Sequence, residues 1–344
     1  MPASVLTVGG RSVRIHKAAL DSQFNDLTVL TSDFWTYVDL WLRRKHSNAA
    51  IFYWSQAQEF YMASQGLGPV SAPLPLYYCF LNAVKAMLVH KGIRTSPYHG
   101  TSGKITTKKA TLSGEQISFG TRGVAPALAQ YMGDTDIRSQ YSMKQVLYNL
   151  AFVHRAFVLT FPKLPELFVP LLQAVYVRKD QGHEVWAQVE TDPKFTAPEI
   201  NSSLPSGFEQ DLGIVGKNVF RLKKRLKWRD GSAELPANLA RLSTYNRRVR
   251  SHVVYIRGQP PTWYLKLNRG TADFISRSSI TLMLAAMHRL SELARYDPLR
   301  LQLLMDSQQN WLLSEFMGSA PLQFVDEVAT EMTGQNMAVP FVRG

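Results

Sequence analysis

The stretch LPLYYCFLNAVKAMLV, residues 74–89, is strongly apolar and sets the architecture that we predict for this chain. Its large apolar side chains recur at intervals of three and four residues, which is the spacing of one face of a helix. We therefore predict a buried helix from about Pro75 to Lys91. Asn82 and Lys85 fall off the apolar face, three residues apart, so both are expected on one side of that helix.

A polar stretch, HKGIRTSPYHG (residues 90–100), follows the predicted helix directly. It contains Arg94 and His99, two residue types that together suit phosphoryl chemistry on RNA without a metal. A histidine accepts or donates a proton near neutral pH, and an arginine stabilises the negative charge that builds on phosphate oxygens. We predict that Arg94 and His99 are catalytic and that Asn82 and Lys85 position the RNA backbone.

A structural interpretation of the same stretch stands beside the catalytic one. Pro97 lies between Arg94 and His99, and five residues of ideal helix would set their side chains roughly 140° apart. The sequence His-Gly followed by Thr-Ser-Gly-Lys is typical of the entrance to a loop. In this interpretation His99 hydrogen-bonds the loop, and Arg94 places a positive charge at the end of the helix.

The spacing of Arg94 and His99 resembles the motif of HEPN-type ribonucleases, in which four to six residues separate an arginine from a histidine. That resemblance implies a helical domain that cleaves RNA without a metal. Because such domains often dimerise to complete their site, it also implies a homodimer through the helical part. A place in phage defence is one setting for such a protein.

The rest of the chain predicts an α+β fold, because helical and strand-rich blocks follow one another instead of alternating. The helical part is expected to be HEPN-like, with the C-terminal helices packing back on it. The predicted divisions are an N-terminal hairpin or extension (1–30), a helical part (31–165) with a short strand insert (100–123), a strand-rich basic region (166–270) and a C-terminal helical part (271–344).

Much of the formal net charge of +13 lies in one segment, residues 217–250, which holds eleven Lys or Arg and two acids. Clustered cations neutralise the phosphates of RNA or DNA, so the segment predicts nucleic-acid binding. The alternative is a solvated charged face. Trp228 and Tyr245 are expected either to stack on bases or to close a small sheet core. The predicted phosphate-binding residues are Lys223, Lys224, Arg225, Lys227, Arg247 and Arg248.

Several common chemistries lack their sequence motifs in this chain. There is one cysteine, and the eight histidines show no metal-ligand spacing. Motifs of nucleotide-binding loops, serine hydrolases and zinc proteases are missing as well. We therefore predict no cofactor and no metal. The first residues lack the apolar core of a signal peptide, and no apolar run is long enough to span a bilayer, which predicts a cytoplasmic protein without a membrane contact.

Three stretches resemble the YaaC-like family of bacterial proteins. They are LPLYYCFLNAVKAMLVHKG (74–92), His99-Gly100 leading through a short strand region to GVAPAL (123–128), and HRLSELARYDP (288–298). The resemblance runs from about Phe34 to about Met332, whereas the N-terminal hairpin and residues 217–250 do not match the family pattern. It implies an architecture and a bacterial origin but no reaction.

Together these observations predict a cytoplasmic nucleic-acid-binding protein with a HEPN-like helical part that cleaves RNA without a metal. Two alternatives from other classes stay open at this point. One is a non-catalytic scaffold that binds nucleic acid or an acidic protein. The other is an enzyme that acts on a small phosphorylated metabolite through the stretch RTSPYHGTSGK (94–104).

Overall fold

The chain folds as two units, each assembled from stretches that are distant in sequence. The structure is a computed structural model that describes residues 3–258 and 260–340. Unit 1 takes its described residues from Met1–Leu30, Glu166–Thr271 and Gly334–Gly344, and unit 2 is formed by Thr31–Pro165 and Ala272–Thr333. Unit 1 is built around a sheet and unit 2 mainly from helices, so the α+β prediction is confirmed.

The helices are α1 (Phe34–Arg44), α2 (Asn48–Ser64), α3 (Pro73–His90), α4 (Val124–Met132), α5 (Met143–Tyr148), α6 (His154–Thr160), α7 (Ala197–Asn201), α8 (Leu235–Arg250), α9 (Ser279–Tyr296), α10 (Pro298–Met305) and α11 (Asn310–Thr333). The strands are β1 (Ala3–Val5), β2 (Thr7–Val8), β3 (Arg11–Ser12), β4 (Val29–Leu30), β5 (Thr101–Ile105), β6 (Glu115–Phe119), β7 (Gln140–Ser142), β8 (Phe168–Lys179), β9 (Glu184–Thr191), β10 (Phe208–Gln210), β11 (Val219–Leu222), β12 (Leu226–Lys227), β13 (Val253–Ile256), β14 (Thr262–Lys266) and β15 (Met337–Ala338).

Unit 1 is organised by an antiparallel sheet with the strand order β10-β11-β9-β8-β14-β13. β1 pairs with β8, and β12 pairs with β9. The segment FRLKKRLKW forms two short strands, β11 and β12, which residues 223–225 separate. Phe220 and Leu222 alternate along β11, Leu226 lies in β12, Trp228 follows β12, and all four side chains are buried. This period of two is what places one face of a strand in a core.

Helix α8 covers this core and was not predicted from the sequence, which assigned residues 166–270 mostly to strands. Its apolar side chains Leu239, Leu242, Tyr245 and Val249 pack against the sheet in one hydrophobic cluster. They recur at intervals of three and four residues, as one helix face requires. The remaining positions are mostly polar or charged, and this dilutes the helical pattern in the sequence.

Unit 2 is organised around α3, the helix predicted from the opening stretch. Helix α3 contacts α2, α9 and α11, so C-terminal helices of the chain pack against an early one. Phe80 of α3 and Phe324 of α11 stack in parallel with ring centroids 3.9 Å apart. Burial of such a ring stabilises the fold by about 1.5–3 kcal/mol. No helix in the described part of the chain is both long and apolar enough to cross a membrane.

A small sheet of β5, β6 and β7 completes unit 2; β5 and β6 lie between residues 100 and 123, where the strand insert was predicted, and β7 lies beyond it. The three strands are antiparallel, with Thr101 opposite Phe119 at one end of the β5–β6 pair and Ile105 opposite Glu115 at the other. β5 follows His99 and Gly100 directly. The sheet therefore starts at the polar stretch that the sequence singled out.

Candidate functional site

The backbone of His99 is held in unit 2 by the start of α4. The amide N–H of Val124 donates to the carbonyl of Tyr98, and the amide N–H of Ala125 donates to the carbonyl of His99, both at 3.0 Å. The first N–H groups of a helix have no partner inside the helix, so they are free to bind another segment. The N-terminus of α4 thus fixes the position of His99.

Two glycines allow this close approach. Gly100 has φ 81° and Gly123 has φ 124°, values that favour glycine. A Cβ on Gly100 would lie 2.3 Å from Cδ of Pro126, and a Cβ on Gly123 would lie 2.6 Å from the backbone nitrogen of Gly100. The two glycines of the stretches His-Gly and GVAPAL therefore pack against each other, and this contact gives the spacing of those stretches a physical reason.

The side chain of His99 lies over a buried tyrosine and a buried histidine. Nδ1 of His99 is 2.7 Å from the phenol oxygen of Tyr77 on α3. The ring centroid of His288 on α9 is 4.8 Å from that of Tyr77 and 5.6 Å from that of His99. Tyr77 and His288 are buried, whereas His99 is exposed. The solvent-accessible imidazole of His99 thus contacts two buried rings, those of Tyr77 and His288.

Glu292, one helical turn after His288, completes what we call the histidine cluster: Tyr77, His99, His288 and Glu292. Its carboxylate is 3.9 Å from Nδ1 of His288 and 3.1 Å from the guanidinium of Arg289. It also accepts the backbone N–H of Gly103 at 3.1 Å. A Cβ on Gly103 would lie 2.1 Å from Arg289, so β5 crosses this ion pair at a point that only glycine fits.

A second carboxylate, that of Glu115, is fully buried beside the Arg289–Glu292 ion pair. Glu115 accepts hydrogen bonds from Arg289 at 2.6 Å and from Arg300 at 2.5 Å. Both arginines are buried as well. Ions in a protein interior are tolerated when their charges are paired and their hydrogen bonds are satisfied. The Arg289–Glu115–Arg300 network meets that requirement and ties β6 to α9 and α10.

Burial shifts the acid–base properties of the cluster toward neutral forms. Burial lowers the pKa of His288 to about 3, and nearby His99 and Arg289 add to the effect. The pKa of His99 is lowered chiefly by burial and then by Lys85, while Glu292 opposes the shift. Burial raises the pKa of the Tyr77 phenol above its ordinary value. At neutral pH both imidazoles are therefore uncharged and the phenol keeps its proton.

This arrangement leaves one nitrogen of His99 for chemistry. The hydrogen bond with the phenol oxygen of Tyr77 engages Nδ1, which leaves Nε2 as the nitrogen available to a bound molecule. In the tautomer that carries its proton on Nδ1, Nδ1 donates to the phenol oxygen and Nε2 has the lone pair that a general base needs. A neutral, exposed imidazole held by a hydrogen bond at its other nitrogen is suited to proton transfer. Among the described residues, no group of three or more His, Cys, Asp or Glu side chains is placed to hold a metal ion.

The other predicted residues of the helical part lie in different environments. Arg94 is exposed in the segment between α3 and β5 and, within residues 3–258 and 260–340, forms no hydrogen bond or ion pair with His99. Asn82 is buried and donates to the carbonyl of Tyr78 on its own helix at 2.8 Å. Lys85 lies 5.5 Å from the ring centroid of Tyr53, and burial lowers its pKa. Lys85 is the cation whose charge acts on His99.

Sequence reasoning missed Tyr77, His288 and Glu292 as members of a site. All three belong to stretches that carry the family resemblance, the paired tyrosines and HRLSELARYDP. Their partners, however, are 22 to 189 residues away along the chain, so no local spacing reveals them. Only the packing of α3 against α9 brings them together.

The basic segment of unit 1 divides into paired and unpaired cations. Acidic partners are present for Lys217, Arg221, Arg225 and Arg229. The guanidinium of Arg225 also lies 4.5 Å from the ring centroid of Trp186, and burial lowers its pKa. In the described part of the chain, five exposed cations have no acidic partner, and we call them the basic surface: Lys223, Lys224, Lys227, Arg247 and Arg248.

Two buried aromatic residues support this surface. The hydroxyl of Tyr245 on α8 donates to the carbonyl of Lys224 in the turn between β11 and β12 at 2.6 Å. The charge of Arg248 acts on the same hydroxyl. Tyr245 and Trp228 are both buried in the unit 1 core, as the structural interpretation of these two residues expected. Helix α8 is thereby fixed against the lysine-bearing turn.

Comparison with known proteins places the chain in one family. A family model described as YaaC-like Protein matches residues 23–332. The match begins earlier than the sequence resemblance indicated, and it includes the basic segment 217–250, which had not been matched to the family pattern. Searches of curated proteins and of solved structures found no significant match. Since the model covers all but the two ends of the sequence, the chain belongs to the YaaC-like protein family.

Proposed function

We propose that this protein binds RNA through the basic surface of unit 1. The proposal rests on one observation, which is that the cations within residues 217–250 divide into those with an acidic partner and those without one. Most of the other cations there are neutralised by acids, whereas Lys223, Lys224, Lys227, Arg247 and Arg248 are exposed and lack an acidic partner in the described chain. Unpaired cations that release counterions from phosphates supply most of the affinity of such proteins for nucleic acid.

The test is a pair of double charge reversals that change the net charge equally. K223E/K224E removes two cations of the basic surface, and R11E/K194E removes two other exposed cations of unit 1. Binding of a labelled oligouridylate is measured between about 50 and 200 mM salt. We expect K223E/K224E to weaken binding and to reduce the salt slope by about 0.7 for each lost contact with a single strand.

The control separates a local surface from overall charge. R11E/K194E is expected to bind as the wild type does. Equal losses in both variants would show that net charge alone drives binding. If the wild type binds duplex DNA or an acidic protein more tightly than RNA, that molecule replaces RNA as the proposed partner.

Cleavage of RNA at the histidine cluster is the second candidate function. It is favoured by the hydrogen bond between Nδ1 of His99 and the phenol oxygen of Tyr77, which leaves Nε2 free to accept a proton, and by the charge of Lys85 nearby. His99 would take the proton of a 2′-hydroxyl while that oxygen forms its bond to phosphorus. The bond from phosphorus to the 5′-oxygen would break, leaving a 2′,3′-cyclic phosphate. Water would protonate the departing 5′-oxygen, and His99 would return its proton to solvent.

In this proposal two cations stabilise the phosphate oxygens. Lys85 lies within electrostatic range of His99, and Arg94 stands in the same exposed segment as His99. A guanidinium or ammonium next to a developing charge lowers the barrier to its formation. Such use of an arginine and a histidine on a helical part without a metal would be HEPN-like.

The cleavage test is an assay of end-labelled RNA in EDTA with H99A and a matched control. His46 is exposed in unit 2 with φ 53°, which asparagine also tolerates, so H46N is the control. We expect the wild type and H46N to produce 2′,3′-cyclic phosphate ends and H99A to lose this activity. Loss of cleavage should leave oligouridylate binding unchanged. Cleavage by H99A at the wild-type rate would remove His99 from the reaction.

A further inference from the structure

The loop between β5 and β6, residues 106–114, is held in place by a buried charge network. Arg300, paired with Glu115, also donates to the carbonyls of Thr107 at 2.9 Å and Lys108 at 3.1 Å. A further hydrogen bond from the same guanidinium reaches the carbonyl of Lys109 at 3.3 Å. Three consecutive carbonyls are thus fixed by one buried side chain.

Two more contacts pin the second half of the loop. The backbone N–H of Leu112 donates to the side chain of Gln309 at 2.8 Å, and the backbone N–H of Lys144 donates to the carbonyl of Leu112 at 3.1 Å. Leu112 itself is buried. The loop is therefore tied to α10 and to the two polypeptide segments that bear Gln309 and Lys144, which leaves its backbone little freedom.

The loop, whose backbone is fixed in this way, exposes positive charge to solvent. Lys108 and Lys109 are exposed, and Lys104 is exposed on β5. None of the three has an acidic partner among residues 3–258 and 260–340. Glu115 is the one acid between residues 100 and 123, and it is buried and paired with two arginines. The outer face of the hairpin is accordingly free of negative charge.

Holding the loop by buried ions has a physical cost that apolar packing avoids. Burying three ions costs several kcal/mol per ion before their pairing is counted, and apolar packing fills such space as well or better. Charged hydrogen bonds to carbonyls do, however, fix a backbone firmly. A ligand that meets prearranged cations loses less conformational entropy on binding. The network therefore fixes the backbone from which the side chains of Lys108 and Lys109 extend into solvent.

We propose that this loop binds the phosphate backbone of an RNA strand whose reacting phosphate lies at His99. This inference rests on the proposed function and specifies the class of substrate for the histidine cluster. His99 lies at one end of the β5–β6 pair and the loop at the other, and the four steps of β5 span about 13 Å. A polynucleotide covers that distance with successive phosphates, whereas a small phosphorylated metabolite does not reach from His99 to the loop.

The experiment compares K108Q/K109Q with K45Q/K163Q, which removes two other exposed lysines of unit 2. Both variants, the wild type and H99A are titrated with labelled oligouridylate over a range of salt, and cleavage of the oligomer and of a uridylyl dinucleotide is followed. We expect K108Q/K109Q to lose affinity several-fold, with a salt slope lower by about 1.4 than that of the wild type. Its KM for the oligomer should rise while kcat and dinucleotide cleavage stay unchanged. K45Q/K163Q should match the wild type.

The outcomes separate this inference from the function on which it rests. A wild type that neither binds nor cleaves RNA overturns both. A wild type that binds RNA while K108Q/K109Q binds equally well overturns the loop assignment alone. Equal losses in K108Q/K109Q and K45Q/K163Q also overturn it, because the effect is then one of net charge. A drop in dinucleotide cleavage would mean that the lysines act at the reacting phosphate instead of along the strand.

Discussion

The histidine cluster of unit 2 and the basic surface of unit 1 use the same charged residue types in opposite ways. In unit 2, Arg289 and Arg300 are buried and paired with Glu115. In unit 1, Lys223 and Lys224 are exposed and have no acidic partner in the described chain. The comparison teaches that burial and pairing, and not the charge alone, decide whether a cation holds the fold together or remains available to a ligand.

The largest expected difference between the two regions is in stability. R300M leaves Glu115 with one partner in a site that excludes water, and breaking a buried pair in this way costs about 3–5 kcal/mol. R295M, an exposed position on α9, should change the free energy of unfolding by less than about 0.5 kcal/mol. Urea denaturation of both variants measures the contrast. An R300M variant as stable as R295M would show that the network does not stabilise unit 2.

A smaller loss is expected where glycine permits the approach of α4 to His99. In G123A the new Cβ would meet the backbone nitrogen of Gly100 at 2.6 Å, and φ 124° disfavours alanine. Strain of this kind costs of order 1–3 kcal/mol. G318A, in open space on α11, should instead stabilise the protein by about 0.5–1 kcal/mol. Thermal unfolding of both variants measures these changes. A G123A protein with the melting temperature of the wild type would contradict the proposed contact.

The sequence predicted those parts of the fold in which buried apolar residues recur at a regular interval. The three-and-four spacing of α3 and the two-residue period of Phe220 and Leu222 in β11 both appear in the structure. Helix α8 was not predicted because its four buried apolar residues are spread among charged and polar ones. Within the site, His99 was identified through its neighbours in sequence. Its contacts Tyr77 and His288 are joined to it only by the packing of α3 and α9, which no local pattern encodes.

Acid should weaken unit 2 through His288. Its pKa is about 3 in the folded protein and about 6.5 when unfolded, so the unfolded chain binds more protons between these values. The stabilisation by neutral His288 is complete above pH 6.5 and is lost as the pH falls toward 3. We expect H288N to reduce the pH slope of the unfolding free energy in this window by about 1 kcal/mol per pH unit. H46N, with an exposed histidine, should keep the wild-type slope, and an unchanged slope in H288N would contradict the burial argument.

The smallest effect on stability is expected in the basic surface. K223E/K224E removes no buried contact, so its free energy of unfolding should stay within about 0.5 kcal/mol of the wild type. Equilibrium unfolding of the variant used for RNA binding checks this. A large destabilisation would mean that these lysines have a structural role, which would weaken the distinction between the two regions.

Ultraviolet crosslinking of the protein to oligouridylate, with the adducts mapped by mass spectrometry, tests the central claim most directly. RNA binding through exposed, unpaired cations predicts adducts in residues 223–227 and near Arg247 and Arg248. The proposed path along β5 predicts a second group in residues 98–114. Adducts confined to other segments, or a failure to crosslink at low salt, would contradict the assignment of this YaaC-like protein as an RNA-binding protein.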